Sequence, residues 1–193
     1  MCPPFPSATT DQLGLTSDAA ALKAQGINPL APEPILDYVG SLYEFAPSLF
    51  DELIFYRQGS KHIRCLQPPA PTFATPRLDR AGIDFLRIDM ATPRLATPAA
   101  LTWGRHARQN AIDLDQPLAT AYLRRQPLAL EANDIDHCTG RGFVIVRHRH
   151  HALGLGFLES TSSDDPGFGR LRSLYPKAYA QEVQSISPFG NPS

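Results

Sequence analysis

Gly142-Phe143-Val144-Ile145-Val146-Arg147-His148-Arg149-His150-His151-Ala152-Leu153-Gly154-Leu155-Gly156-Phe157 is the stretch whose reading decides the fold. The apolar run Phe143 to Val146 predicts a buried strand. The His/Arg-rich run 147–151 predicts a solvated hairpin tip. A second strand, Leu153 to Phe157, follows, and its two glycines allow a tight bend or a close backbone approach. After a loop containing Asp164-Asp165 comes a basic terminal segment, Gly169-Arg170-Leu171-Arg172-Ser173-Leu174-Tyr175-Pro176-Lys177.

Upstream of the hairpin, Ile83 to Ile88 reads as a strand and Pro98 opens a helix through Trp103 to Ala107. Asp115 is placed to cap the next helix, Leu118 to Arg125, with Pro117 just inside it. Residues 126–141 read as polar loop. Short strands with two helices in about a hundred residues suit a mixed-topology β-barrel whose openings the helices cover, over residues 82–180.

Further upstream lies a Pro-rich connector at 68–81, then a small α+β unit at 16–67. In that unit Thr16-Ser17-Asp18 can cap a short helix over 19–24, stopped by Gly26. Pro34 opens a second helix, in which Ile35, Leu36, Val39, Leu42, Tyr43 and Phe45 recur at helical spacing until Pro47. Leu53 to Tyr56 and His62 to Leu66 flank Gln58-Gly59-Ser60-Lys61 as a β-hairpin. Residues 1–15 and 181–193 are expected to be flexible. The expected fold class is therefore α+β, a small N-terminal unit followed by the barrel. Ala-Thr-Pro-Arg-Leu occurs at 74–78 and again at 91–95, which one short pair of copies makes coincidence rather than repeat architecture.

Composition narrows the function classes. The 193 residues are 42% hydrophobic, enough for packed cores, and the formal net charge of −1 lacks the signature of a non-specific nucleic-acid binder. The charge is unevenly spread: Asp84 to Ala180 carries 12 Arg/Lys against 10 Asp/Glu, and the residues before it carry 6 against 8. The cations are mostly arginine, which suits bidentate phosphate contacts. Three scattered cysteines, Cys2, Cys65 and Cys138, argue against a disulfide framework and for a reducing compartment. With no signal-like or spanning apolar segment, a soluble cytoplasmic protein without membrane partners is expected.

With these elements in order, residues 82–180 resemble the C-terminal RNA-binding region, a PUA-like domain, of the Fmu/Sun-type ribosomal RNA cytosine-5 methyltransferases. The family's Gly-Ile/Leu-x-x-Leu-Arg strand is similar to Gly82-Ile83-Asp84-Phe85-Leu86-Arg87, and its Arg-Phe-x-x-Ser-x-Ala-Leu helix start to Arg94 through Leu101. Its Tyr-Leu-x-Gly-Glu stretch corresponds to Tyr122-Leu123-Arg124-Arg125-Gln126. Its Leu-Gly-Trp-Gly strand corresponds to Leu153-Gly154-Leu155-Gly156, and its closing Leu-Lys-Asn-x-Tyr-Pro-Lys to Leu171 through Lys177. The chain departs from the family at Leu155, where the family has Trp, and at Phe157, where it has Lys. The methyltransferase half has no counterpart: a glycine-rich cofactor loop and a Pro-Cys catalytic loop are missing from the sequence. The resemblance implies RNA binding without catalysis and without cofactor, on structured RNA of the ribosomal or pre-ribosomal kind, in ribosome assembly or RNA modification. A partner RNA-modifying enzyme or assembly factor fits the same picture. The order of a small α+β unit followed by such a domain also resembles a family of small ribosome-assembly factors.

The cations expected to contact RNA are Arg94, Arg105, Arg108, Arg147, Arg172 and Lys177. His148, His150 and His151, near His137-Cys138, lack a second closely spaced ligand pair, so a solvated tip rather than a zinc site is expected. In an extended strand His148 and His150 would share a face, where they could stack on bases. Gly-x-Ser-x-Gly, P-loop and His-Glu-x-x-His patterns do not occur. The competing class is a protein-interaction module, or an accessory subunit of an RNA methyltransferase, with no RNA binding of its own. The near-zero net charge and Phe157 in place of lysine favour it.

Overall fold

A computed structural model describes residues 28–67 and 82–180. The expected short helix at 19–24, the connector at 68–81 and both termini lie outside these residues. The chain divides into two compact units, residues 1–99 and 100–193.

The first unit is a five-stranded antiparallel sheet of β1 (Pro29–Leu30), β2 (Ile54–Gln58), β3 (His62–Leu66), β4 (Ile83–Arg87) and β5 (Arg94–Leu95), paired in sequence order. Helix α1 (Glu33–Tyr43) has a proline in its first turn. Ile35, Tyr38, Val39 and Tyr43, at helical spacing, form its buried side. The helix ends at Glu44, whose φ of 50° is left-handed and whose N–H donates to the Gly40 carbonyl. The expected hairpin forms, as β2 and β3. The core is a run of aromatic contacts: Tyr43–Phe45, Phe45–Phe50, Phe50–Phe85 and Phe55–Phe85, with centroids 4.9 to 5.6 Å apart.

The structure corrects the expected boundary at residue 82. Strand β4 was expected to open the second unit, but it pairs antiparallel with β3 in the first. The physical reason is Phe85, fully buried against Phe50 and Phe55, together with an Arg64–Asp84 ion pair of 2.9 Å across the two strands. The Gly82-to-Arg87 stretch that carried the first likeness therefore belongs to a different unit from the Gly154 and Tyr175 stretches. The division falls inside α2 (Thr97–Trp103).

The second unit holds a mixed sheet of β6 (Ala111–Asp113), β8 (Gly142–His148), β9 (His151–Leu158), β10 (Arg170–Ser173) and β7 (Leu128–Ala129), in that spatial order. Only the β6–β8 pair is parallel. The sheet curls into a half-barrel with β6 and β7 at its edges, rather than closing as the expected barrel. Helix α3 (Gln116–Leu123) is capped as the sequence indicates, the Asp115 carboxylate accepting from the Leu118 N–H at 2.9 Å. Its Ala119 and Tyr122 join Ile112, Val144, Val146, Leu158 and Leu171 in one core. The segment read as polar loop at 126–141 contains β7 and a 3-10 turn at Ala132–Asp134. Among the described residues no helix is long and apolar enough to cross a membrane.

The two strand glycines are packing residues. Gly154 has a φ of 141°, and a Cβ there would lie 2.9 Å from the Tyr122 hydroxyl, which donates to the Leu155 carbonyl. A Cβ on Gly156 would meet Leu171 Cδ1 at 2.6 Å. The tip is a two-residue turn, Arg149-His150, with φ of 49° and 64°. His148 and His151 are cross-strand partners, so the expectation that His148 and His150 share a strand face is corrected.

Candidate functional site

Period-two alternation in β8 sends Val144 and Val146 into the core beneath α3, and Phe143 and Ile145 to the opposite face. Strand pairing fixes what stands beside them. Phe143 is opposite Phe157 on β9, and Phe157 is opposite Arg172 on β10, so the three form one row across three strands. A second row is set by Glu159, whose N–H donates to the Arg170 carbonyl. One end of this face is covered: a Cβ on Gly104 would lie 2.8 Å from Ile145, so the 3-10 turn Gly104–His106 packs there. Towards the other end, Phe143 and Phe157 are half-buried while Arg141, Arg170 and Arg172 are exposed.

These side chains make a defined constellation. The Phe143 and Phe157 rings meet edge to face at 5.3 Å. The Arg141 guanidinium lies 5.6 Å and that of Arg172 5.2 Å from the Phe157 centroid. Both are cation–π contacts, worth about 0.5–1 kcal/mol each at an exposed site, and they hold flexible cations in place. Beside this platform a cleft of about 460 Å³ runs between the chain segment 125–129 and β10, lined by Arg125, Gln126, Glu159, Arg170, Arg172 and Ser173 among others. Arg172 belongs to both platform and cleft. Arg125 has a φ of 59° and donates to the Tyr175 carbonyl, which ties the start of the cleft wall to the segment after β10.

Of the six expected cations, the structure places Arg172 on this face. Lys177 is exposed in the helical turn at 177–180. Arg105 and Arg108 are exposed around the 3-10 turn, Arg105 Nε contacting His106 Nε2 at 2.9 Å. Arg94 lies in the first unit, half-buried and opposite Arg87 on β4; burial first, and then Arg87, lower its pKa. Arg147 is held internally. Its guanidinium donates to the Ala107 carbonyl at 2.9 Å and to the Asp113 carboxylate at 2.5 Å, with the side chain only 13% exposed. It ties β6 to β8 and to the loop after the 3-10 turn, so it is a structural cation.

The residues that sequence reading missed are Arg141, Phe143, Phe157 and Arg170. The alternation of Phe143 against Val144 was a usable signal, but the rows exist only once strand register is known. Phe157, which counted against RNA binding as a replaced lysine, is the ring that both guanidinium groups approach.

The remaining chemistry-bearing groups are quiet. His148 Nδ1 donates to the Leu114 carbonyl at 2.8 Å, and the described residues contain no cluster of three His, Cys, Asp or Glu side chains able to hold a metal ion. Burial pushes the thiols of Cys65 and Cys138 up to about 12, so neither is a ready nucleophile at neutral pH. Compared with protein-family models and with curated protein sequences, the chain finds no match.

Proposed function

We propose that this protein binds structured RNA, of the ribosomal or pre-ribosomal kind, through the Arg/Phe face of the second sheet, and catalyses no reaction on it. The observation that carries the reading is the Phe157 ring approached by Arg141 and Arg172 and backed by Phe143. Aromatic rings interleaved with arginines offer stacking for bases and charge-assisted hydrogen bonds for phosphates in one place. An enzyme would need an activated group in its cleft; the polar side chains of this one are three arginines, Gln126, Glu159 and Ser173, whose hydroxyl is occupied in donating to the Tyr122 carbonyl at 2.8 Å rather than to a base.

The PUA-like identity of the second unit is part of the same proposal. Its support is the curled mixed sheet with α3 against its core face and the likeness of Leu171 through Lys177 to the family's closing segment. That likeness is also the support for ribosomal RNA. Scattered cysteines support a cytoplasmic setting.

The test is crosslinking in cells followed by sequencing of the bound RNA, with the Arg170→Ala/Arg172→Ala variant alongside. A ribosomal peak for the wild type, depleted at least about fivefold in the variant, is expected. The near-neutral net charge of −1 favours the second reading, a protein-interaction module. Recovery of a defined protein partner with no RNA above background would establish that reading instead.

A further inference from the structure

We infer that the face selects an unpaired nucleotide rather than duplex, with a base stacked on the Phe157–Arg172 pair and the attached phosphate in the cleft between Arg125 and Arg170. This inference rests on the RNA-binding reading above. In a paired helix the base faces are already stacked on each other, and only edges, sugars and phosphates are presented. A ring and a guanidinium on a sheet face gain nothing from such a ligand beyond charge. They gain a stacking contact when a base is splayed out of a loop or bulge.

The geometry favours the splayed base in three ways. The row Phe143–Phe157–Arg172 crosses two strand spacings, about 10 Å, a width suited to one or two bases and not to the side of a helix. Arg172 is already held over the Phe157 ring, so little side-chain freedom is lost when a base arrives. The adjoining cleft of about 460 Å³ lies in the size range of sites for small molecules, roughly 300–1,000 Å³, and admits a nucleotide but no duplex.

Charge sets the orientation. Arg125, Arg170 and Arg172 face the same cleft as Glu159, three cations against one carboxylate. Phosphate is drawn to the arginines. The Glu159 carboxylate repels phosphate and can accept an N–H from a base edge.

The experiment is fluorescence anisotropy on the full chain with two RNA hairpins of one stem sequence. One carries an unpaired internal bulge of about six nucleotides, and in the other the bulge is fully paired. Wild type is expected to bind the bulged hairpin at least about tenfold more tightly. Phe157→Ala and Arg172→Gln should each cut that preference to within about twofold, while Phe157→Tyr keeps it. Thermal melts report folding, and if Phe157→Ala does not fold, the exposed Arg172→Gln decides. Equal wild-type affinity for the two hairpins would overturn this inference and leave RNA binding standing. Binding to neither would overturn both, and capture of a poly-glutamate peptide in that case would assign the face to an acidic protein partner.

Discussion

Arg147 on β8 and Arg172 on β10 are the same residue type in one sheet, and their surroundings give them different work. Arg147 is nearly enclosed, with one hydrogen bond to a carbonyl and one to a carboxylate. Hydrogen bonds to charged groups are worth about 1.5–3 kcal/mol, so Arg147→Ala is expected to destabilise the protein by about 2 kcal/mol in a denaturant melt. Arg172 is exposed, with its guanidinium 5.2 Å from the Phe157 centroid. Arg172→Ala should change stability by less than about 1 kcal/mol while weakening RNA binding. A reversed result, Arg147→Ala stable and Arg172→Ala unfolded, would show that the two roles were exchanged.

The thiols of Cys65 and Cys138 give a second prediction at this scale. Burial raises each to about 12, above the unfolded value of about 8.5. The sign follows from proton binding: at alkaline pH the unfolded chain loses these protons and the folded one keeps them. Their contribution to stability is complete below about pH 8.5 and is lost progressively as pH rises towards 12. At pH 8 an aromatic disulfide reagent should label Cys65 and Cys138 at least about a hundredfold more slowly in the folded protein than in guanidinium, read by peptide mapping. Rapid labelling of either without denaturant would contradict the burial.

At the scale of elements, β9 is shaped by what it packs against. Its two glycines admit Tyr122 from α3 and Leu171 from β10, and no other residue type leaves that room. Gly156→Ala places a methyl group 2.6 Å from Leu171 Cδ1, and Gly154→Ala adds a left-handed φ of 141° to a 2.9 Å approach to the Tyr122 hydroxyl. Overpacking and backbone strain each cost about 1–3 kcal/mol, so both variants should lower the melting temperature clearly, Gly154→Ala the more. Gly142→Ala in β8 is the control. It meets nothing within 4 Å and should shift stability by no more than about 0.5 kcal/mol.

At the scale of the molecule, the charge that matters is local. The net charge of −1 conceals a face where Arg141 and Arg172 flank the Phe157 ring and Arg170 lines the adjoining cleft. Each cation that neutralises a phosphate of an unpaired strand contributes about 0.7 to the slope of log affinity against log salt. The triple variant Arg141→Ala/Arg170→Ala/Arg172→Ala is expected to reduce that slope by about 2 for a single-stranded ligand, measured between two salt concentrations. An unchanged slope would place the phosphate contacts elsewhere. The same view of the molecule predicts no methyl transfer: its two described thiols are held protonated and the sequence has no cofactor loop. Tritium from a labelled methyl donor should stay out of ribosomal RNA incubated with this chain alone, and incorporation would reopen the enzymatic reading.

Local chemistry determined what could be read without coordinates. Proline and Asp115 at helix starts and the apolar run at Phe143–Val146 act over a few residues, so α1, α3, β2–β3 and β8–β9 are legible in the sequence itself. Tertiary structure decided the rest. Strands β1, β5, β6 and β7 are two or three residues long, too short for alternation to show, and exist because a neighbouring strand supplies their hydrogen bonds. The unit to which β4 belongs was settled by Phe85 finding Phe50 and Phe55, partners more than twenty-five residues away in sequence. The candidate site has the same origin. Phe143, Phe157 and Arg172 stand in one row only through the register of three strands, a long-range property that no window of sequence contains.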